Sequence, residues 1–344
     1  MHSRCKFRAA VAGNTTETRV LLQPLMRIAT TFPHHTPTPY PHNHPKAMRS
    51  ATLIFLVSAI FAACQVASPT QGTSSPFSGS EAYALVLEQL EFGPRIPGTP
   101  GSMAAGDWIL QKAAARGWET EEQLFEYGAT VLRNVIAKPS HGLGPPVILG
   151  AHYDTRPLAD RDAVGTDLPV PGANDGASGV AVLLELARVL DPEELPFPVW
   201  LAFFDAEDSG GIDDWEWIVG SRYFASTLSL QPLAVVIVDM VGDADLQLYI
   251  ERSSDPPMAA SIWSVAEALG YAAFIPEPGR SILDDHMPFV QMGIPSVDII
   301  DLDYPYWHTT ADTADKVSPA SLEQVGRVLE AWLYQLDGLT THSP

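Results

Sequence analysis

The sequence has only two cysteines, Cys5 and Cys64, and both precede the part that reads as a folded domain. A disulfide framework inside that domain is excluded, and so is a zinc site built on thiolates. Any metal there must be held by His, Asp or Glu. Basic residues are also scarce. Lys and Arg total 20 against 41 Asp and Glu, and from position 65 onward the balance is 13 basic to 40 acidic. No Lys/Arg run offsets that excess, so nucleic acid is excluded as a partner. No internal repeat is found.

With 344 residues, 46% of them hydrophobic, the chain has room for one sizeable α/β domain. Residues 1–47 differ from the rest. They carry a His/Pro/Thr-rich tract at 32–45 without hydrophobic periodicity, and read as a disordered extension or an over-long start with Met48 the true initiator. Met48-Arg49 then precedes an apolar run over 51–63, too short to span a bilayer, that ends in Phe61-Ala-Ala-Cys64. Residues 48–64 therefore read as an export signal. Cys64 after Ala-Ala resembles the lipidated cysteine of bacterial lipoproteins, which would make it the chain's one link to a membrane. Residues 65–79, rich in Ser, Thr, Pro and Gly, read as a linker. The expected location is the cell envelope, the periplasm or the medium.

The folded part is expected over 80–338. Helical spacing covers 81–92 and 102–117, separated by the turn-rich 93–101. Strands are expected over 118–127, 130–137, 145–152, 198–204, 233–238, 246–251 and 295–300, and helices over 180–190, 221–226, 258–269 and 318–336. Strands alternating with helices imply a mostly parallel sheet covered on both faces.

The chain is organised around Pro171-Gly-Ala-Asn-Asp175-Gly-Ala-Ser-Gly179, where small residues lead into an apolar helix and place Asp175 at its N-terminus. Alone, Asp175 would be an ordinary cap. Other acids and histidines, however, recur where apolar strands end: His152 and Asp154, Glu207 and Asp208, and Asp239. Such residues converge on one crevice in an open α/β sheet, and the pattern reads as a metal site. His152 and Asp154 are either a surface pair or a ligand with its orienting carboxylate. Glu207-Asp208 is either a solvated turn or an acid pair with one member on a metal and the other a general acid/base. Asp284-Asp285-His286 suits the start of a short helix, with Pro288 just inside it. Trp307-His308, in a loop after the last strand, offers one more ligand candidate.

Read in order, His152-Tyr-Asp154, Asn174-Asp175-Gly-Ala-Ser-Gly, Phe-Phe-Asp-Ala-Glu207-Asp208, Asp239-Met-Val-Gly-Asp and Trp307-His308-Thr resemble the zinc aminopeptidase superfamily. Asp284-Asp285-His286-x-Pro-Phe, the Trp-His pair and Gly-Pro-Arg-Ile-Pro-Gly at 93–98 are closer to its glutaminyl cyclases. The resemblance implies a three-layer α/β sandwich with a mostly parallel mixed central sheet flanked by helices. It implies a zinc-dependent glutaminyl-peptide cyclotransferase, which turns the N-terminal Gln of peptides and proteins into pyroglutamate with release of ammonia. One zinc would be held by Asp175, Asp208 and His308, where the family usually has Glu in place of Asp208. Glu207 would be the general acid/base, with Asp284 and Asp239 in its carboxylate network. Trp307 would line the pocket together with Trp215 or Trp217. The protein would act as a monomer. The alternative is a two-zinc aminopeptidase, in which His152 and Asp239 hold a second metal bridged by Asp175 and Glu207 activates a water.

Overall fold

The computed structural model describes residues 77–336 apart from 141 and 143. The expected extension, the export segment with Cys64 and most of the linker lie outside those residues. The described chain opens with two helices, α1 (Gly79–Leu90) and α2 (Pro100–Ala115). Both start where a hydroxyl side chain accepts a free backbone N–H of the first turn: Ser78 from Glu81 and Thr99 from Ser102. Phe77, just ahead of α1, is already buried and covers Gly326.

There follow the strands β1 (Glu119–Tyr127), β2 (Thr130–Lys138) and β3 (Val147–His152), then helix α3 (Ala177–Val189). Next come β4 (Val199–Phe204), α4 (Val219–Thr227), β5 (Ala234–Asp239), β6 (Leu248–Ile250) and α5 (Pro256–Leu269). The chain closes with β7 (Phe274–Pro278), the short α6 (Met287–Gln291), β8 (Ser296–Ile300) and α7 (Pro319–Gln335). No helix among the described residues is long and apolar enough to cross a membrane.

The main sheet runs β1-β2-β4-β3-β5-β8. Strands β4, β3, β5 and β8 are parallel, whereas β1, β2 and β4 pair antiparallel, so the sheet is mixed as expected. Alternate residues of the parallel strands supply its two faces. Leu149, Leu201, Val236 and Ile299 pack under α1, α2, α3, α5 and α7, while Ile148, Ala202, Val235 and Ile237 meet Phe224 of α4 and Phe289 of α6. The result is the three-layer sandwich. Val180, Val182, Leu183, Leu184 and Leu186 of α3 are wholly buried, each contributing roughly 1.5–3 kcal/mol over an exposed side chain.

Gly179 lets α3 lie against the sheet. A Cβ there would sit 2.1 Å from the Val238 carbonyl oxygen and 3.0 Å from Ala151 Cβ. The first neighbour is backbone and cannot swing aside. Gly179→Ala is expected to cost about 1–3 kcal/mol of stability through overpacking. In urea unfolding, the midpoint falls at unchanged slope; a wild-type midpoint would show that the helix shifts freely.

The pairing of β6 with β7 is a feature that hydrophobic periodicity did not reveal. The Phe274–Pro278 segment carries two prolines and a Glu and is mostly exposed, so it lacks the alternation of a half-buried strand.

Candidate metal and catalytic site

The chain leaves β3 for its neighbour β4 on one side and later reaches β5 on the other, so the order of connection reverses at β3. Crevices form at the carboxyl ends of strands at such a point. His152 is the last residue of β3 and Asp239 the last of β5, and Glu207 and Asp208 follow β4. Asp175 lies just before α3. Its side chain does not cap that helix. Gly176 is the N-cap, at φ 97°, a conformation a side chain would strain, and no side chain caps the helix. The Asp175 carboxylate is thereby left to face the crevice.

Two groups of buried side chains are arranged as metal-ligand sets: His152, Asp175 and Asp239, and Asp175, Asp208 and His308. His152 Nε2 lies 3.2 Å from Asp175 Oδ1 and 3.1 Å from Asp239 Oδ1. His308 Nε2 lies 3.0 Å from Asp208 Oδ1 and 3.9 Å from Asp175 Oδ2. The shorter arm of Asp208, compared with the usual Glu, therefore still reaches. Asp175 belongs to both groups through different oxygens.

Buried backbone contacts hold these residues in place. Asp154 accepts the backbone N–H groups of Glu207 (3.0 Å) and Asp208 (3.1 Å). Its Oδ1 is also 3.4 Å from His152 Nδ1, so the expected pairing forms and is joined by a second task. Asp312 does the same for the Asp175 turn, accepting the N–H of Asn174 (2.9 Å), that of Asp175 (3.1 Å) and the Tyr304 hydroxyl (2.6 Å). Arg95 is fully buried and donates to the carbonyls of Tyr153, Pro171 and Gly172, tying the loop after β3 to the loop before α3. Burial lowers its pKa to about 10 against the pull of Asp312, Asp154 and Asp175. Asp205 faces away from the crevice and accepts from Ser102 Oγ and the Arg133 N–H. The chain reverses between Asp205 and Glu207 through Ala206, whose φ is 57°. Met240 and His308 also have left-handed backbones, at φ 47° and 58°, a conformation uncommon outside glycine.

The crevice contains a cavity of about 180 Å³ lined by Asp175, Glu207, Asp208, Asp239 and Asp284, with Trp217, Met240, Ile282, Leu283, Trp307 and His308. Of the tryptophans considered from the sequence, Trp217 and Trp307 reach it. Trp215 lies outside, its ring 5.1 Å from that of Tyr127. Trp217 stacks parallel to His308 at 6.1 Å, and Trp307 sits 4.2 Å from the same imidazole. Asp284 reaches the cavity, but His286 does not. It is wholly buried behind the wall, 3.3 Å from Glu251 and 3.5 Å from Asp298. Asp312, Arg95 and Asp205 belong to no spacing pattern that marks a ligand, although each sits inside or beside a motif already noted.

So many carboxylates in one dry crevice perturb each other. Burial and the Asp175 charge push Asp208 up to about 6, against His308 and Arg156. Burial pushes Asp239 up to about 7, only partly offset by His152. Glu207 is raised well above the usual carboxylate range by burial first and the Asp208 charge next, with His152 opposing. Asp175 goes the other way: His152 outweighs its burial and keeps it ionised. In turn the carboxylates, Asp239 foremost, outweigh burial at His152 and hold its pKa well up.

A divalent cation fits the Asp175–Asp208–His308 group. Asp175 Oδ2 and both Asp208 oxygens are buried without a hydrogen-bond partner. Orphaned buried acceptors are costly unless something positive meets them. A nitrogen with two carboxylates is a donor set that suits zinc.

The model of peptidase family M28 matches residues 134–333. The chain belongs to that family. Its fold matches a glutaminyl cyclase from Porphyromonas gingivalis with a TM-score of 0.72 and 35% identity, covering 75% of this chain and 98% of that one. A leucine aminopeptidase precursor from Bacteroides thetaiotaomicron matches with a TM-score of 0.70 and 33% identity, over 75% and 97% of the two chains. A glutaminyl-peptide cyclotransferase-like protein of Bos taurus is 25% identical over 285 residues, 71% of this chain and 73% of that protein. These likenesses bear out the resemblance read from the motifs. This M28 member has the three-layer fold of those structures and two candidate metal-ligand groups, and it is an enzyme of the glutaminyl-cyclase and zinc-peptidase kind.

Proposed function

We propose that the protein is a glutaminyl-peptide cyclotransferase with one catalytic zinc, held by Asp175, Asp208 and His308. The observation that carries this reading is the uneven satisfaction of the two ligand groups. The unpartnered oxygens of Asp175 and Asp208 gather on the His308 side. On the other side His152 Nε2 and Asp239 Oδ1 form a hydrogen bond at 3.1 Å, whereas His308 Nε2, although 3.0 Å from Asp208 Oδ1, is not aligned to make one. That arrangement supports a proton at His152 rather than a second metal.

Zinc bound there supplies a Lewis acid that polarises the side-chain amide carbonyl of an N-terminal Gln. The cavity is smaller than the roughly 300–1,000 Å³ of pockets for drug-sized ligands, which suits a single terminal residue with the rest of the peptide outside. Trp307 and Trp217 fold the Gln side chain back toward its own α-amine and exclude water. Glu207 takes a proton from the amine as its nitrogen bonds to the amide carbon. It returns the proton to the departing nitrogen, so that ammonia leaves as the ring closes. A carboxyl held well above its usual range by burial suits both halves of that transfer near neutral pH. Asp284 and Asp239 hold the amine within reach of Glu207.

The second reading is a two-zinc aminopeptidase, favoured by the His152, Asp175 and Asp239 group. Assays on a Gln-initiated and a Leu-initiated peptide, run beside zinc analysis, separate the two. Ammonia release from the first, with about one zinc per chain, is the expected result. Release of free leucine with about two zincs would replace it. Residues 48–64 support export, with the catalytic domain a monomer that meets the membrane only through a lipid on Cys64.

A further inference from the structure

The loop between β3 and α3 carries Asp160-Arg161-Asp162, which grips the Trp307–His308 loop at three successive residues. Asp160 Oδ1 lies 3.4 Å from His308 Nδ1, the nitrogen on the far side of the ring from Asp175 and Asp208. The same carboxylate takes two hydrogen bonds from Arg156, at 3.0 and 2.6 Å, which fix its orientation. The Arg161 N–H donates to the His308 carbonyl at 3.2 Å, and its guanidinium lies 3.8 Å from the Trp307 ring centroid. Asp162 Oδ2 accepts the backbone N–H and the hydroxyl of Thr310 at 2.9 and 2.6 Å. Between these points His308 has a left-handed backbone, a conformation that persists only when its surroundings hold it.

We infer that Asp160 and Arg161 are separate positioning residues for the two tasks of this loop, Asp160 for the metal and Arg161 for the substrate. Asp160 accepts the Nδ1 proton of His308. That leaves the Nε2 lone pair directed at Asp175 and Asp208, and it fixes the ring plane. Arg161 presses on the outer face of Trp307 by a cation–π contact and keeps the indole upright as a cavity wall. Arg161 is exposed, and among the described residues it forms no ion pair, so this contact is the chief one its charge makes. The assignment rests on the reading that zinc sits at Asp175, Asp208 and His308, and its test has a control for that reading.

Zinc affinity is measured by chelator competition on the full chain, independently of activity, for Asp160→Ala, Asp160→Asn, Arg161→Ala and a His308→Ala control. Asp160→Ala is expected to weaken zinc binding about 10–100-fold, the range typical of carboxylates that orient a metal-bound histidine. Asp160→Asn keeps an oxygen for Nδ1 but loses the ion pair with Arg156, and is expected to stay close to wild type. If Asn weakens zinc as much as Ala, the effect runs through Arg156 and the assignment of Asp160 to His308 is overturned. Arg161→Ala is expected to keep zinc affinity and raise KM for a Gln-initiated peptide with kcat little changed, and Arg161→Lys to restore KM. A lowered kcat at constant KM, or no rescue by Lys, overturns the Arg161 half. Wild-type zinc affinity in His308→Ala sinks the zinc reading itself. A normal loss there with no change in Asp160→Ala sinks only the positioning role.

Discussion

Glu207→Gln is expected to lower turnover of a Gln-initiated peptide by about 10²–10⁴-fold, the usual worth of a general acid/base, while zinc content and folding stay intact. The separation is possible because the residue is held by its backbone. The Glu207 N–H is anchored on Asp154 and its carbonyl accepts the Ile218 N–H, so an amide side chain of nearly the same shape leaves the turn undisturbed. It also leaves Asp175, Asp208 and His308 untouched. What it removes is a group able to take a proton and give it back. Steady-state kinetics with zinc analysis on one preparation measures both quantities. Turnover near that of wild type would shift the proton transfer to Asp284 or Asp239, the other carboxylates of the cavity wall.

His308→Ala is expected to take zinc below stoichiometric levels and abolish cyclisation with it. The substitution removes the only nitrogen of its ligand group. It also removes one of the two groups, His308 and Arg156, that oppose the upward push of burial and Asp175 on Asp208, so that carboxyl moves further up and competes less well for a metal near neutral pH. The fold should survive, since the Trp307–His308 loop packs on the sheet's end rather than in either of its cores. Metal analysis after gel filtration, with circular dichroism as the folding check, reads the result. Full zinc retention would move the metal to the His152 side and revive the two-zinc reading.

Much of the candidate site was legible in the sequence because its candidate ligands sit where apolar strands stop. His152 and Asp239 end strands outright, and Glu207-Asp208 follows one after a two-residue reversal. A run such as Val199–Phe204, buried on both faces, declares where it ends. The mostly parallel, doubly covered sheet followed from the same runs, and its mixed character from the family resemblance. What stayed hidden were the residues that hold the ligands. Asp312 secures the Asp175 turn from 137 residues away in sequence, and no periodicity links the two positions. Asp154 was read as the partner of His152, but its hydrogen bonds to the Glu207 and Asp208 N–H groups depend on how β3 and β4 lie side by side. The choice between Trp215 and Trp217 depended on the path of an irregular loop. Asp175 would be an ordinary cap had it stood alone, but the left-handed Gly176 holds that place.

The β1–β2 hairpin contributes nothing to the cavity lining, yet the turn that carries Glu207 hangs from it. The Arg133 N–H holds Asp205, and Asn134 Oδ1 accepts the Asp205 N–H at 3.1 Å while its amide holds the Gly220 carbonyl at 2.9 Å. β1 is one of the sheet's two edge strands, acidic and largely open to water, the kind of element that opens first as a protein breathes. Each such opening slackens the Asp205–Ala206–Glu207 reversal while the parallel core stays closed. Warming or mild denaturant is therefore expected to silence the chemistry before it melts the molecule, an order that activity and circular dichroism followed along one urea series would show.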